Sequence, residues 1–299
     1  MKDLLALWAT RAGVALFALV PFPLLYLLSD SLAFLMYRIV GYRRRVVLDN
    51  LRHSFPEKTE AELREVARAF YRNLADVLLE TLKGNTMTAE QFRRRTPGDF
   101  NVLGEALQPE RPIVLMGSHY GNWEWISLAV KVHLPEKHIL GVYKPLKNQP
   151  VDAYLNRRRG RFGLDLVAME RAGYAMIKYH NRSCAFCLIA DQTPSNTRTA
   201  HWLKFLHRET PFLPGGDKIA RRLNIPVYFF DMRRYKRGYY RITLSKLADD
   251  AGSLEEGEVT RLFARKLEGL LREAPADWLW SHRRWKHERP AAAPLLPLA

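Results

Sequence analysis

Ile113-Val-Leu-Met-Gly-Ser-His-Tyr-Gly-Asn-Trp-Glu-Trp125 is the stretch whose reading decides how this chain folds. Ile113–Met116 is a short apolar run just after Pro112, the composition of a buried strand. Gly117 and Ser118 end it. Asn122 is a helix cap, because the apolar positions Ile126, Leu128, Ala129, Val130 and Val132 follow without glycine or proline. His119 therefore falls in a strand-to-helix turn and Glu124 in the first helical turn. On a continuous helix, their spacing would set them about 140° apart. A turn between them removes that restriction and lets the carboxylate fold back onto the imidazole. Such a pair fixes the tautomer and leaves the other ring nitrogen to take a proton from a hydroxyl. A histidine bonding within a βα loop, with Glu124 favouring a helix N-terminus, fits the same residues.

Around this turn the chain alternates strands and helices. Strands are predicted at Asn101–Leu103, Ile113–Met116, Ile139–Tyr143, Asp165–Val167, Cys184–Ala190, Val227–Met232 and Tyr239–Leu244. Helices are predicted at Trp123–Leu134, Val151–Phe162, Tyr174–His180, Gly216–Leu223 and Glu258–Glu273. That alternation gives an α/β fold, a mixed sheet flanked by helices, with ligands at the carboxyl ends of its strands. Two further strand ends are polar. Lys144 follows Ile139–Tyr143, read as the strand beside that of His119, where a cation can stabilise an oxyanion or hold a phosphate. Asp191 and Gln192 follow Cys184–Ala190 and can orient a substrate or cap a loop.

Before the sheet, Val46–Ser54 and Glu60–Lys83 have helical periodicity. The second starts in a Thr59/Glu62 capping box and carries one apolar stripe, Leu63, Val66, Phe70, Leu74, Val77, Leu78 and Leu82. A further short helix begins at Thr88. The resulting division is a membrane anchor over 1–40, a helical N-terminal layer over 41–98, an α/β catalytic domain over 99–289 and a loosely ordered tail over 290–299. The anchor rests on Ala12–Leu28, 17 residues without a charge but broken by Pro21 and Pro23, and on a second apolar run, Leu32–Tyr37. A spanning helix needs about 20 apolar residues. The reading is a marginal span or a helical hairpin in one leaflet, with Arg43–Arg45 placed to meet anionic headgroups. A hydrophobic helix buried within the protein is the other reading.

At 299 residues, 47% hydrophobic and 26% charged, the chain is neither disordered nor polytopic. Its formal charge of +16 suits anionic partners. The basic clusters Arg43–Arg45, Arg93–Arg95, Arg157–Arg161, Arg233–Arg237 and His282–Arg289 have no nucleic-acid-binding module around them, so nucleic acid is not an expected partner. Trp278, Trp280 and Trp285, beside the last cluster, suit either an interface or the core. Cys184 and Cys187 form a CxxC on a strand, where residues three apart face opposite ways, so they read as small buried hydrophobes rather than as metal ligands.

His119-Tyr-Gly-Asn-Trp-Glu124 is similar to the HxxxxD/E motif of membrane acyltransferases. The chain more specifically resembles the bacterial lipid A biosynthesis acyltransferases, the late-acting lauroyl/myristoyl transferase family. The resemblance is carried by Pro21-Phe-Pro-Leu-Leu-Tyr26, Arg44–Pro56 (RRVVLDNLRHSFP), Tyr143-Lys-Pro145, Ala190-Asp-Gln192 and Trp278-Leu-Trp-Ser-His-Arg-Arg-Trp285, in that order. It implies a glycerolipid-acyltransferase-like fold and an enzyme on the cytoplasmic face of the bacterial inner membrane. That enzyme moves a fatty acyl chain from an acyl carrier protein or coenzyme A thioester to a hydroxyl of a lipid A precursor or related glycolipid. His119 would be the base and Glu124 its orienting carboxylate. Asn122, with backbone amides of the turn, would be oxyanion support, while Lys144, Asp191 and Gln192 would be substrate ligands. Lys144 stands where the family has arginine, which supplies a bidentate fork that lysine lacks. The implied partners are an anionic glycolipid acceptor, the membrane and the acyl carrier protein. No cofactor or metal is expected. A lysophospholipid, an aminolipid or a glycosylated phosphoinositide is the rival acceptor, and a non-catalytic membrane scaffold the rival class.

Overall fold

The computed structural model describes residues 2–107 and 111–298. The chain opens with α1 (Lys2–Leu19) and α2 (Phe22–Phe34), the latter running on as a π-helical turn, Leu35–Ile39. Next come α3 (Arg44–Ser54), α4 (Glu60–Gly84), α5 (Ala89–Arg95) and α6 (Asn101–Ala106). The α/β region follows as β1 (Ile113–Gly117), α7 (Trp123–His133), β2 (His138–Tyr143), α8 (Gln149–Arg159), β3 (Asp165–Ala168), α9 (Ala172–Lys178) and β4 (Cys184–Ile189). It continues through β5 (His201–Phe205), β6 (Arg208–Phe212), α10 (Gly215–Leu223), β7 (Val227–Lys236), β8 (Tyr239–Ala248), α11 (Glu258–Glu273) and β9 (Leu295–Leu296).

The expected α/β architecture is present. The main sheet runs β3-β2-β4-β1-β7-β8, parallel except for the antiparallel edge pair β7–β8. β1 is central, between β4 and β7. Val114 and Met116 face one core cluster, and Ile113 and Leu115 face the other. Burial on both faces is why this strand reads as an unbroken apolar run. Cys184 and Cys187 also divide between the two clusters, and both are free thiols.

Several expectations are corrected. Asn101–Leu103 is helical, in α6, where the Asp99 carboxylate accepts from the Asn101 amide at 3.0 Å and starts the turn. The hairpin β5–β6 was not expected. Its turn residues, Leu206 and His207, both have positive φ (48° and 67°), a conformation normally signalled by asparagine or glycine. The tail is not loose throughout, because Leu295 and Leu296 pair in parallel with Trp202 and Leu203 of β5.

Pro21 and Pro23 break the apolar run as expected: α1 stops at Leu19, and the two prolines begin α2, where the first amides lack intrahelical acceptors anyway. Phe22–Ile39 is therefore 18 helical residues, 22% buried and long and apolar enough by composition to cross a membrane. Along α2 the buried positions Leu25, Ser29 and Ala33 recur every fourth residue. Ser29 donates to Asp76 of α4 at 2.6 Å, and Tyr26 donates to Glu80 at 2.9 Å. α4 begins in the expected capping box, but its inward stripe includes these two carboxylates, whereas Leu78 is exposed.

Candidate active site

The turn after β1 is held from three directions. The His119 amide donates to Asp191 Oδ2 at 3.0 Å, the Leu279 amide to the His119 carbonyl at 3.1 Å, and the Gly121 amide to the Asp277 carbonyl at 3.0 Å. Gly121 has φ of 59°, and a Cβ there would lie 1.8 Å from the Met232 carbonyl oxygen. Asn122 caps α7 by accepting from the Trp125 amide at 3.1 Å and donates to Glu80 at 2.7 Å. Its side chain is fully buried and both ends of the amide are engaged, so its place in the structure is that of a brace for the turn.

β4 lies beside β1, which brings Asp191, the second residue past its end, to the imidazole. Asp191 Oδ1 is 2.7 Å from His119 Nδ1. Asp191 Oδ2 also accepts the Trp278 indole N–H at 2.6 Å. On the other side of the ring, Gln192 Nε2 is 3.1 Å from His119 Nε2. This set of contacts assigns the Nδ1–H tautomer: Nδ1 donates to Asp191, while the Nε2 lone pair accepts from the Gln192 amide. The Trp123 ring packs edge-on, its centroid 5.5 Å from that of His119.

Burial opposes charging of His119. The field and hydrogen bond of Asp191, joined by the field of Glu124, outweigh it and raise the ring's pKa above the ordinary histidine value. For Asp191, burial pushes the other way, but His119 and the Trp278 N–H hold the carboxyl below its usual range. The side chain of His119 is 19% exposed and that of Asp191 only 2%, so the imidazole is open to solvent and its carboxylate is not.

Glu124 is not bonded to His119. It lies in the first turn of α7 and pairs with Arg159 at the end of α8, 3.0 Å away. Lys144 does follow β2, but β4 separates β2 from β1, so the reading of adjacent strands is corrected. Two strand spacings put it about 10 Å along the sheet from the His119 strand. It is exposed, and the cation beside Glu124 is Arg159 instead.

Residues 2–287 match the family model described as bacterial lipid A biosynthesis acyltransferase. The lipid A biosynthesis lauroyltransferase of Escherichia coli (strain K12) is 25% identical over 299 aligned residues, covering 96% of this chain and 94% of that protein. This chain belongs to the bacterial lipid A biosynthesis acyltransferase family. It is thus an acyltransferase of lipid A biosynthesis, as the ordered blocks implied.

In this acyltransferase the C-terminal tryptophan block is internal. Trp278 and Trp280 are buried, their ring centroids 4.8 Å apart and perpendicular. Next to them, His282 Nε2 accepts from the Thr193 amide at 3.1 Å, and burial together with nearby Arg284 lowers its pKa to about 4. His282 is therefore neutral and holds the loop after Gln192. Burial likewise lowers the Arg284 guanidinium to about 9, opposed by the field of Asp191. Among the described residues, no group of three or more His, Cys, Asp or Glu is arranged to hold a metal ion. Sequence reasoning missed Trp278 and Arg159 as site residues. The Trp278–Trp285 block was a signal for the first, while Arg159 sat unmarked within a basic cluster.

Proposed function

We propose that this acyltransferase is an O-acyltransferase, moving a fatty acyl chain from a thioester onto a hydroxyl of a lipid A precursor or related glycolipid. The observation that carries the reading is the 2.7 Å contact of Asp191 with His119 Nδ1, which leaves Nε2 of a partly exposed ring, bonded only to the Gln192 amide, for substrate. The acceptor hydroxyl takes the place of the Gln192 amide at Nε2 and gives up its proton there as its oxygen attacks the thioester carbonyl. The negative oxygen of the tetrahedral intermediate accepts from the displaced Gln192 amide. Collapse breaks the carbon–sulfur bond, and the proton passes from Nε2 to the leaving thiolate. Asp191 orients the imidazole and stabilises its charged form. Glu124, steadied by Arg159, adds negative charge nearby, and Lys144 meets an anionic group of a substrate at the rim. The chemistry needs no metal or cofactor, because the base and the thioester leaving group suffice.

The donor is an acyl carrier protein or coenzyme A thioester, with the basic surface suiting the acidic carrier. The enzyme works at the bacterial inner membrane from the cytoplasmic face. Supporting this reading are the apolar helix Phe22–Ile39 and the exposed Leu4, Leu5, Trp8 and Leu16 of α1. The test is His119→Ala against wild type, with labelled acyl carrier protein and coenzyme A thioesters and a phosphorylated glycolipid acceptor. Transfer should fall by about 10²–10⁴-fold, the range for loss of a general base. Near-normal transfer by the folded variant overturns the role of His119, and the favoured thioester identifies the donor.

A further inference from the structure

Away from His119, α2 with its π-helical turn, α4 and the β7–β8 hairpin enclose a groove of about 860 Å³. Five arginines line it, Arg38, Arg68, Arg72, Arg234 and Arg237, against three carboxylates. Two are locked in place. Arg234 reaches Asp76 at 2.8 Å, and Arg237 reaches both Asp30 and Asp76 at 2.8 Å. Even so, Arg234 Nε is a buried donor with no acceptor. The other three are exposed. Among the described residues Arg38 and Arg72 make no hydrogen bond or ion pair, and Arg68 has only a 3.8 Å contact with the exposed Glu65.

The groove is also apolar along one wall. Ala33, Phe34 and Tyr37 line it, and Phe34 is 59% exposed. The same helical run carries the exposed Leu35, Ile39 and Val40 just beyond. One buried, unpartnered guanidinium donor and three exposed guanidinium groups without a protein hydrogen bond, beside an uncovered apolar helix, match a ligand with an anionic head and hydrocarbon chains. A nucleic acid or a free anion would leave the apolar wall uncovered.

We propose that this groove binds the headgroup phosphate of an anionic glycerophospholipid of the bilayer, its acyl chains lying along Phe34 and the apolar face beyond. Guanidinium forks suit phosphate oxygens. The proposal rests on the membrane reading of Phe22–Ile39.

The test uses the full-length protein in neutral detergent micelles carrying radiolabelled phosphatidylglycerol or phosphatidylcholine, with lipid retention measured after gel filtration. Wild type should retain phosphatidylglycerol in preference to phosphatidylcholine. The variant Arg38→Gln/Arg68→Gln/Arg72→Gln should bind it about a hundredfold more weakly. That factor corresponds to ~1 kcal/mol for each basic residue near an anionic lipid surface. Lys204→Gln/Lys218→Gln/Arg222→Gln removes equal charge outside the groove and should bind like wild type, with melting temperatures showing that both variants fold. Equal retention of the two lipids, an equal loss in the control variant, or full displacement by millimolar inorganic phosphate overturns the proposal. So does a raised KM for the glycolipid acceptor with phosphatidylglycerol retention unchanged, which would give the groove to the substrate. Sedimentation of wild type with phosphatidylcholine vesicles in high salt tests the membrane reading separately, since that step does not need the groove.

Discussion

The indole N–H of Trp278 donates to Asp191 Oδ2 at 2.6 Å, on the carboxylate whose other oxygen holds His119 Nδ1. A carboxylate buried this deeply needs its donors, and each hydrogen bond to such a charge contributes about 1.5–3 kcal/mol. Trp278→Phe keeps most of the ring packing and removes this donor. The variant should melt lower and transfer acyl groups about tenfold more slowly, with the KM values for donor and acceptor little changed. An unchanged kcat would show that the indole only fills space.

The electrostatics of the His119–Asp191 pair set a pH profile. The His119 pKa is raised, so the free-base form grows as pH rises through that value, and kcat/KM should climb with it. Asp191→Asn removes the main stabilising partner of the imidazolium and also disturbs the Nδ1–H tautomer. The acid limb should move to lower pH while the plateau falls by about 10²-fold or more, on the scale of general-base loss. Stability follows the same linkage. The raised His119 pKa gives stability that is fully present below the ordinary histidine value and lost as pH rises through the folded one. The lowered Asp191 pKa gives stability present above the usual carboxylate range and lost as pH falls through its folded value. Thermal melts across pH should show both losses in wild type and neither in Asp191→Asn.

Glu124 makes its ion pair with Arg159 and reaches His119 only through its field. Glu124→Gln should therefore lower transfer but shift the acid limb less than Asp191→Asn does. If the two variants shift it equally, Glu124 moves onto the imidazole when substrate binds.

What the sequence made legible and what it hid divide along physical lines. The central strand, the turn and α7 could be read because burial on both faces and an asparagine cap leave local marks in the composition of Ile113–Val132. The Asp191 contact could not, since it depends on which strands are neighbours, and strand order is a non-local property. The same gap put Lys144 one strand too close. Pro21 and Pro23 were legible as a break, because proline ends or starts a helix locally, but the polar Ser29-Asp30-Ser31 hid that the second helix runs on to Ile39, since Ser29 is satisfied by Asp76 of a distant helix.

Gly121 is the position where backbone shape limits the site most tightly. Its φ of 59° disfavours any side chain, and a Cβ would meet the Met232 carbonyl at 1.8 Å. Gly121→Ala combines a left-handed penalty of about 1–2 kcal/mol with that clash. The variant should lose well over 2 kcal/mol of stability in denaturant melts, and its transfer activity should fall with the displacement of His119 two residues away. Wild-type melting would mean that the turn has an alternative path.

Glu80 joins three parts of the molecule that are distant in sequence. Its carboxylate accepts from Tyr26 of α2 at 2.9 Å, from Asn122 of the site turn at 2.7 Å and from Tyr240 of β8 at 2.6 Å. It is fully buried, and burial raises its pKa, with Arg234 acting in the opposite direction. All three partners donate to it, so an amide in its place keeps these contacts only if a tyrosine hydroxyl turns round to accept from the new N–H₂, and the buried charge facing Arg234 is lost. Glu80→Gln should cost about 3–5 kcal/mol, the scale for breaking a buried charged network. Tyr26→Phe removes a single donor and should cost about 1 kcal/mol. If Glu80 positions the turn as well as stabilising the fold, Tyr26→Phe should lower kcat at temperatures where it remains fully folded. Denaturant melts paired with initial rates separate the two effects, and a Tyr26→Phe variant with wild-type kcat would confine Glu80 to stability alone.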